Sequence, residues 1–186
     1  SVGPGSTNLV TAAAVAMSNR IPILFLPGDT YANRMPDPVL QQVEHFNNPG
    51  ITANDAFKPV TRYFDRITRP EQILQSLPQA IQVMIDPADA GPACLSLCQD
   101  IQGETFDYPE EFFKERIHAI RRPKPDDFEI KNAAEKIKNS KNPIIISGGG
   151  VFYSDAMEEL GNFAIKHNIP VTQTVMGYST MKRDHS

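Results

Sequence analysis

Three features of the sequence predict an α/β protein that carries parts of two open parallel-sheet domains. Its strand-like segments, such as residues 21–26 and 93–97, are short apolar runs rather than alternating ones. That is the pattern of strands covered on both faces. These runs alternate with helix-like segments, the order of an open α/β sheet. Between residues 102 and 125 the composition shifts, and a second helix–strand series begins beyond it.

Residues 6–19 are Ala-rich and start with Ser6, Thr7 and Asn8, good N-cap types, so they predict a helix packed closely on a sheet. Residues 21–26 follow as a strand, which Pro27-Gly28-Asp29 closes with turn chemistry. Residues 30–59 are irregular, rich in Pro and Asn, and too long for a simple connection; such loops are often functional. Thr68-Arg69-Pro70-Glu71 then starts a helix to about Met84, with Thr68 as cap, Pro70 in the first turn and Glu71 favouring the dipole. Residues 93–97 give the next strand.

In residues 103–125, Phe106, Tyr108, Phe112 and Phe113 sit among acids, ahead of Arg116, Arg121 and Arg122, which predicts a linker lying on the surface through its aromatics. Beyond it come a helix with an Ile130/Ala133/Ala134/Ile137 face, a strand at 143–147, Gly148-Gly149-Gly150, a helix at 155–167 and a strand at 170–174.

The 186 residues are 40% hydrophobic and 22% charged, a globular composition, and the net charge of −4 with interspersed signs excludes nucleic acid as a main partner. No apolar run approaches the roughly 20 residues that cross a bilayer, and no basic segment opens a signal peptide. The expectation is a cytoplasmic protein without a membrane partner. Cys94 and Cys98, four apart in an apolar stretch, read as reduced core residues. The four histidines, His45, His118, His167 and His185, show no metal spacing and read as surface residues. A start without Met, inside a loop, and an end just past a strand-like segment suggest a piece of something longer.

Gly3-Pro4-Gly5-Ser6-Thr7-Asn8 is the most informative string. Glycines flanking a proline give a tight turn whose backbone can approach a ligand, and a following helix would aim its free N–H groups there. Read alone, it is equally a loop with capping residues. Gly148-Gly149-Gly150 invites a dinucleotide reading, but Tyr153 replaces the third glycine of Gly-x-Gly-x-x-Gly and the fingerprint fails.

Gly3 to Ala13, with Pro22-Ile23-Leu24 and Pro27-Gly28-Asp29, resembles the pyrimidine-binding domain of thiamine-diphosphate-dependent enzymes. The likeness continues through Leu40-Gln41-Gln42, Phe57-Lys58-Pro59-Val60-Thr61-Arg62 and Gly91-Pro92-Ala93, with Arg62 where the family usually has Lys. Asn142 to Gly150 and Ile169-Pro170-Val171-Thr172 resemble the family's Rossmann-like central domain. Asp37 to Glu44, Arg62 to Gln72, Phe106-Asp107-Tyr108-Pro109-Glu110 and His118 to Pro123 are similar to one branch, which opens a cyclic 1,2-diketone in myo-inositol catabolism.

The resemblance implies residues 1–102 as the C-terminal part of the pyrimidine-binding domain, 103–125 as linker and 126–186 as the N-terminal part of the central domain. It implies a parent C–C bond hydrolase, a homodimer or homotetramer, using thiamine diphosphate and Mg2+. The cofactor supplies carbanion-stabilising chemistry, and the protein holds it, places the substrate and excludes water. The activating glutamate is expected upstream of Ser1 and the Gly-Asp-Gly metal motif beyond Ser186, so this piece itself should be inactive, with no metal or cofactor of its own. Gly3, Pro4, Gly5, Asn8, Gln41, Gln42 and Arg62 are the candidates for the active-site wall. For Asn8 the alternative is a helix cap, for Gln41 and Gln42 simple solvation, and for Arg62 a surface ion pair. The central domain is expected to be empty of flavin. The competing readings are an acetolactate synthase-like carboligase and a non-catalytic nucleotide-binding or oligomerisation module.

Overall fold

The structure, a computed structural model, describes residues 1–33, 39 and 42–181. The chain divides into two compact units, Ser1–Ile120 and Arg121–Ser186, and the division falls inside the 103–125 segment. Both are α/β with parallel strands. Among the described residues no helix is long and apolar enough to cross a membrane.

Unit 1 begins with a single turn, α1 (Pro4–Thr7), followed by α2 (Val10–Asn19). Its strands are β1 (Leu24–Phe25), β2 (Gly28–Asp29), β3 (Tyr63–Ile67) and β4 (Ala93–Cys98), with α3 (Ile73–Met84) between β3 and β4. β4 is central. β3 runs along one edge in the register Tyr63↔Ala93 to Ile67↔Leu97. β1 and β2 share the other edge, with Leu24↔Ala93 and Gly28↔Leu97 in one continuous register. Pro27-Gly28-Asp29 therefore continues the strand and does not close it. Pro27 lacks an N–H, which interrupts the pairing, but its carbonyl still accepts from Leu97 N at 2.9 Å.

Side chains in register share a face, and here the two faces have different cores. Phe25, Phe64 and Cys94 pack with Ala13, Val10 and Val60 under a 3-10 segment, Ala53–Val60, whose Phe57 is fully buried. Leu24, Tyr63, Ala93 and Leu95 pack against Ile73, Leu77, Ala80 and Met84 of α3. The burial of β4, complete except at Leu97, follows from cover on both sides.

Several sequence expectations change here. The 6–19 helix is two pieces broken at Asn8–Leu9, and α2 starts on Leu9 with no side-chain cap. The irregular 30–59 segment includes the Ala53–Val60 turn, capped by Thr52 and Asp55 in a reciprocal box. Thr68 does not cap α3 by accepting. Its N and Oγ1, with Arg69 N, donate to Gln72 Oε1, and a 3-10 turn precedes Ile73. The linker aromatics stack on one another, and Tyr108 Oη donates to Pro70 O at 3.2 Å, while Phe113 stays exposed.

Unit 2 contains α4 (Asp127–Asn139), β5 (Ile145–Ser147), α5 (Gly150–Tyr153), α6 (Met157–His167) and β6 (Val171–Gln173). α4 opens on Asp126, whose carboxylate accepts from Phe128 N at 2.7 Å, with acids in its first turn and lysines in its last. The 155–167 helix begins later than expected, because Asp155, at φ 56°, separates α5 from α6. β5 and β6 are parallel, Ile145 opposite Val171.

Candidate functional site

In unit 1 the carboxyl ends of the strands, where open α/β sheets place their ligands, carry a buried polar network. The apolar face that starts with Phe25, Phe64 and Cys94 ends with Asp29, Arg66 and Ser96. Asp29 is 2% exposed. Its Oδ2 accepts from Arg66 Nε at 2.8 Å and Ser96 Oγ at 2.5 Å, and its Oδ1 from Thr30 N at 2.8 Å. Arg66 Nη2 also donates to Asp55 Oδ1 and Thr52 Oγ1, each at 2.9 Å, tying β3 to the 53–60 turn. Asn54 Nδ2 donates to Ser96 Oγ and Gly28 O, each at 2.7 Å.

Charge in this network is balanced by contact. Burial works against the Arg66 guanidinium, but its bonds to Asp29 and then Asp55 hold its pKa above the ordinary value. Burial likewise opposes the Asp55 charge, and Lys58, Thr52 N and Arg66 together hold its carboxyl below the usual range. Beneath the network, burial and then the nearby Asp29 charge push the Cys94 thiol up to about 12, against a smaller opposing effect of Arg66. Neither Cys94 nor Cys98 is in a disulfide, and both are buried.

The Gly3 turn adjoins this network. Gly3 is buried at φ 56°, ψ −123°, a conformation that a side chain disfavours, so glycine is required there. Gly28 N donates to Ser1 O at 2.7 Å, and Ser6 Oγ lies 2.7 Å from Ser1 O and 3.3 Å from Gly28 O. Pro4, Gly5 and Asn8 are exposed. The expected helix N-terminus is not at this turn, because α1 is one turn long and α2 starts at Val10; a four-residue helix offers little dipole.

Gln42 is 1% exposed, which rules out simple solvation; its Nε2 donates to Gln99 Oε1 at 3.0 Å just past β4. Asp100 accepts from Ala32 N and Asn33 N, pinning the start of the long segment to the same end of the sheet. Gln41 lies outside the described residues. Arg62 pairs with Asp89 at 3.0 Å, the surface ion pair weighed from its sequence, and its stem packs over Gly91. The members the sequence did not point to are Asp29, Asn54, Asp55, Arg66 and Ser96. Only the charges inside an otherwise strand-like 63–67 segment hinted at them.

Two buried acceptors in this region, Asn54 Oδ1 and Gln42 Oε1, have no hydrogen-bond partner among the described residues. Buried carbonyls of this kind fit a bound group that brings N–H or O–H donors, as an aminopyrimidine or a polyol does.

In unit 2, Gly148–Gly150 follows β5; Gly149 packs against Met176 and Tyr153, while open space lies at Gly150. Ser147 Oγ and Thr180 Oγ1 lie 2.5 Å apart, and Thr180 Oγ1 donates to Gly177 O at 2.7 Å. A Cβ on Gly177 would fall 2.1 Å from Ser147 O, and one on Gly149 3.5 Å from Met176 O. His45, His118 and His167 are exposed, and His185 lies outside the described residues. Among the described residues no cluster of His, Cys, Asp and Glu is placed to hold a metal.

The family of the thiamine pyrophosphate enzyme, central domain, matches residues 130–186. Over 185 residues, 100% of this chain, the sequence is 55% identical to a protein of Clostridium perfringens named 3D-(3,5/4)-trihydroxycyclohexane-1,2-dione hydrolase. Proteins of the same name from Bacillus licheniformis and Listeria monocytogenes are each 53% identical over 184 residues, 99% of this chain. The chain spans 29% of the length of each of these three relatives. Residues 130–186 therefore match the family of the thiamine pyrophosphate enzyme, central domain, and the chain as a whole is similar to one stretch of the trihydroxycyclohexanedione hydrolases.

Proposed function

We propose that this chain is part of a thiamine-diphosphate-dependent hydrolase that opens trihydroxycyclohexane-1,2-dione at a C–C bond, adding water to yield the open-chain acid 5-deoxyglucuronate. The observation that carries the reading is 55% identity sustained over the whole chain to relatives of that name. The likeness runs through residues 103–125.

Residues 1–102 serve as part of the pyrimidine-binding domain and 126–186 as part of the central domain, joined by 103–125. Thiamine diphosphate, with Mg2+, supplies stabilisation of the carbanion formed at ring opening. The chain's own residues form a wall: the Gly3–Ser6 turn lines it, the Asp29–Arg66 network holds that end of the sheet rigid, and Gln42, buried against Gln99, backs it. Asn8 stands at the rim; Arg62, at the amino end of β3 and paired with Asp89, lies at the other end of the sheet. The activating groups come from parts of the relatives that this chain does not span, so residues 1–186 alone do not turn over substrate. The working enzyme is a cytoplasmic homodimer or homotetramer.

The test is ring opening by the complete gene product supplied with thiamine diphosphate and Mg2+, followed as loss of the dione by NMR. Turnover of the dione, without acetolactate from pyruvate, is expected. Acetolactate formation without dione turnover would replace this reading with that of a carboligase.

A further inference from the structure

Asn54 is 1% exposed, and its side-chain amide is held in one orientation by chemistry. Ser96 Oγ has a single hydrogen, which goes to the Asp29 carboxylate at 2.5 Å, because that group only accepts. Ser96 Oγ must then accept from Asn54 Nδ2, and the second Nδ2 hydrogen goes to Gly28 O. Flipping the amide would set its oxygen against two acceptors. Asn54 Oδ1 is thus fixed as a buried acceptor without a partner among the described residues. Nearly all buried carbonyls in folded proteins are satisfied, so a donor is missing here.

The position says which donor. Gly28 O, which anchors Asn54, is also within reach of Ser6 Oγ in the Gly3–Ser6 turn. Thr52 and Asp55, which flank Asn54, are fastened to Arg66 and through it to Asp29. The acceptor is preorganised at the carboxyl end of the sheet, beside the Gly3–Ser6 turn.

We propose that Asn54 Oδ1 is a ligand-binding acceptor that takes a hydrogen bond from an amine or hydroxyl of the molecule held against the Gly3–Ser6 turn. This rests on the function proposed above and adds to it a contact residue. The donor is either the amine of the cofactor or a hydroxyl of the substrate, and one experiment separates them. The complete gene product, its Asn54→Ala variant and a Phe57→Leu variant are titrated calorimetrically with thiamine diphosphate and Mg2+. The KM for the dione is then measured at saturating cofactor. Phe57→Leu loosens the same segment without touching the acceptor; Asn54→Ser replaces Asn54→Ala should the latter not fold.

Loss of the acceptor is expected to weaken one of the two ligands by roughly tenfold, with Phe57→Leu within about twofold for both. A weaker cofactor Kd assigns the donor to the amine, and a higher KM at unchanged cofactor Kd assigns it to a substrate hydroxyl. Affinities within about twofold for both ligands in the Asn54 variant would overturn the inference and mark the acceptor as satisfied by water. An equal loss in Phe57→Leu would overturn it as well. A wild type that binds neither ligand removes the function reading and this inference together; a wild type that binds both, beside an unaffected Asn54 variant, removes this inference alone.

Discussion

Arg66 Nε lies 2.8 Å from Asp29 Oδ2, and this contact bridges β3 and β2, the strands on opposite edges of β4. Ser96, on β4 between them, donates to the same carboxylate oxygen. Three strands are therefore cross-tied at their carboxyl ends by one buried carboxylate.

Removing the cation should be costly because the Asp29 carboxyl, 2% exposed, would be left buried without its partner. Arg66→Met is expected to lower stability by about 3 kcal/mol in urea unfolding, and Arg66→Lys to recover only part, since an ammonium cannot reach Asp29, Asp55 and Thr52 together. An Arg66→Met midpoint equal to wild type would show that the tie is not structural.

Asp55 gives the network a pH dependence. Its carboxyl is held below its ordinary pKa, so its contribution is complete above the unfolded value of 3.8 and is lost as pH falls through the folded value. Asp55→Asn should therefore lower the thermal midpoint at pH 7, and the gap to wild type should close below pH 3.8. A gap that stays constant down to pH 2 would exclude this linkage.

The Cys94 thiol, buried and pushed up to about 12, should be unreactive at neutral pH. Alkylation of the native protein with iodoacetamide at pH 8, followed by peptide mapping, is expected to leave Cys94 unmodified until urea unfolds unit 1. Rapid labelling in the folded state would mean that the 53–60 cover opens readily.

In unit 2, Gly177→Ala places a methyl 2.1 Å from the Ser147 carbonyl, a backbone atom that cannot swing aside. The variant should lose at least about 1–3 kcal/mol, the usual cost of overpacking, measured as a lower unfolding midpoint. Gly150→Ala, with open space at its Cβ position, serves as the matched control and should cost little.

The order of elements was legible because it rests on local composition. The apolar runs of β1 and β4, the Ala face of α2 and the Ile/Ala face of α4 declare themselves within about ten residues. β3 was not legible: Tyr63-Phe64-Asp65-Arg66-Ile67 places two charges mid-strand, and each is half-buried beside a partner on another element. Asp65 meets Ser76 on α3, and Arg66 meets Asp29, 37 residues earlier. Pro27-Gly28-Asp29 misled for a related reason. Its composition favours a turn, but β4 lies alongside and uses the Pro27 carbonyl.

Among the candidate wall residues the division is the same. By itself the sequence determined that Gly3 sits in a turn needing glycine, because that demand is local backbone geometry. It also determined the two α/β units and the family match of residues 130–186, since both follow from the order of residue types. Tertiary structure alone decided that Asn8 is exposed, that Gln42 is buried against Gln99, and that Asp29, Asn54, Arg66 and Ser96 converge. Those partners lie 37 to 67 residues apart in the chain. A polar side chain is worth burying only where folding delivers its partner, and local sequence does not say which partner arrives.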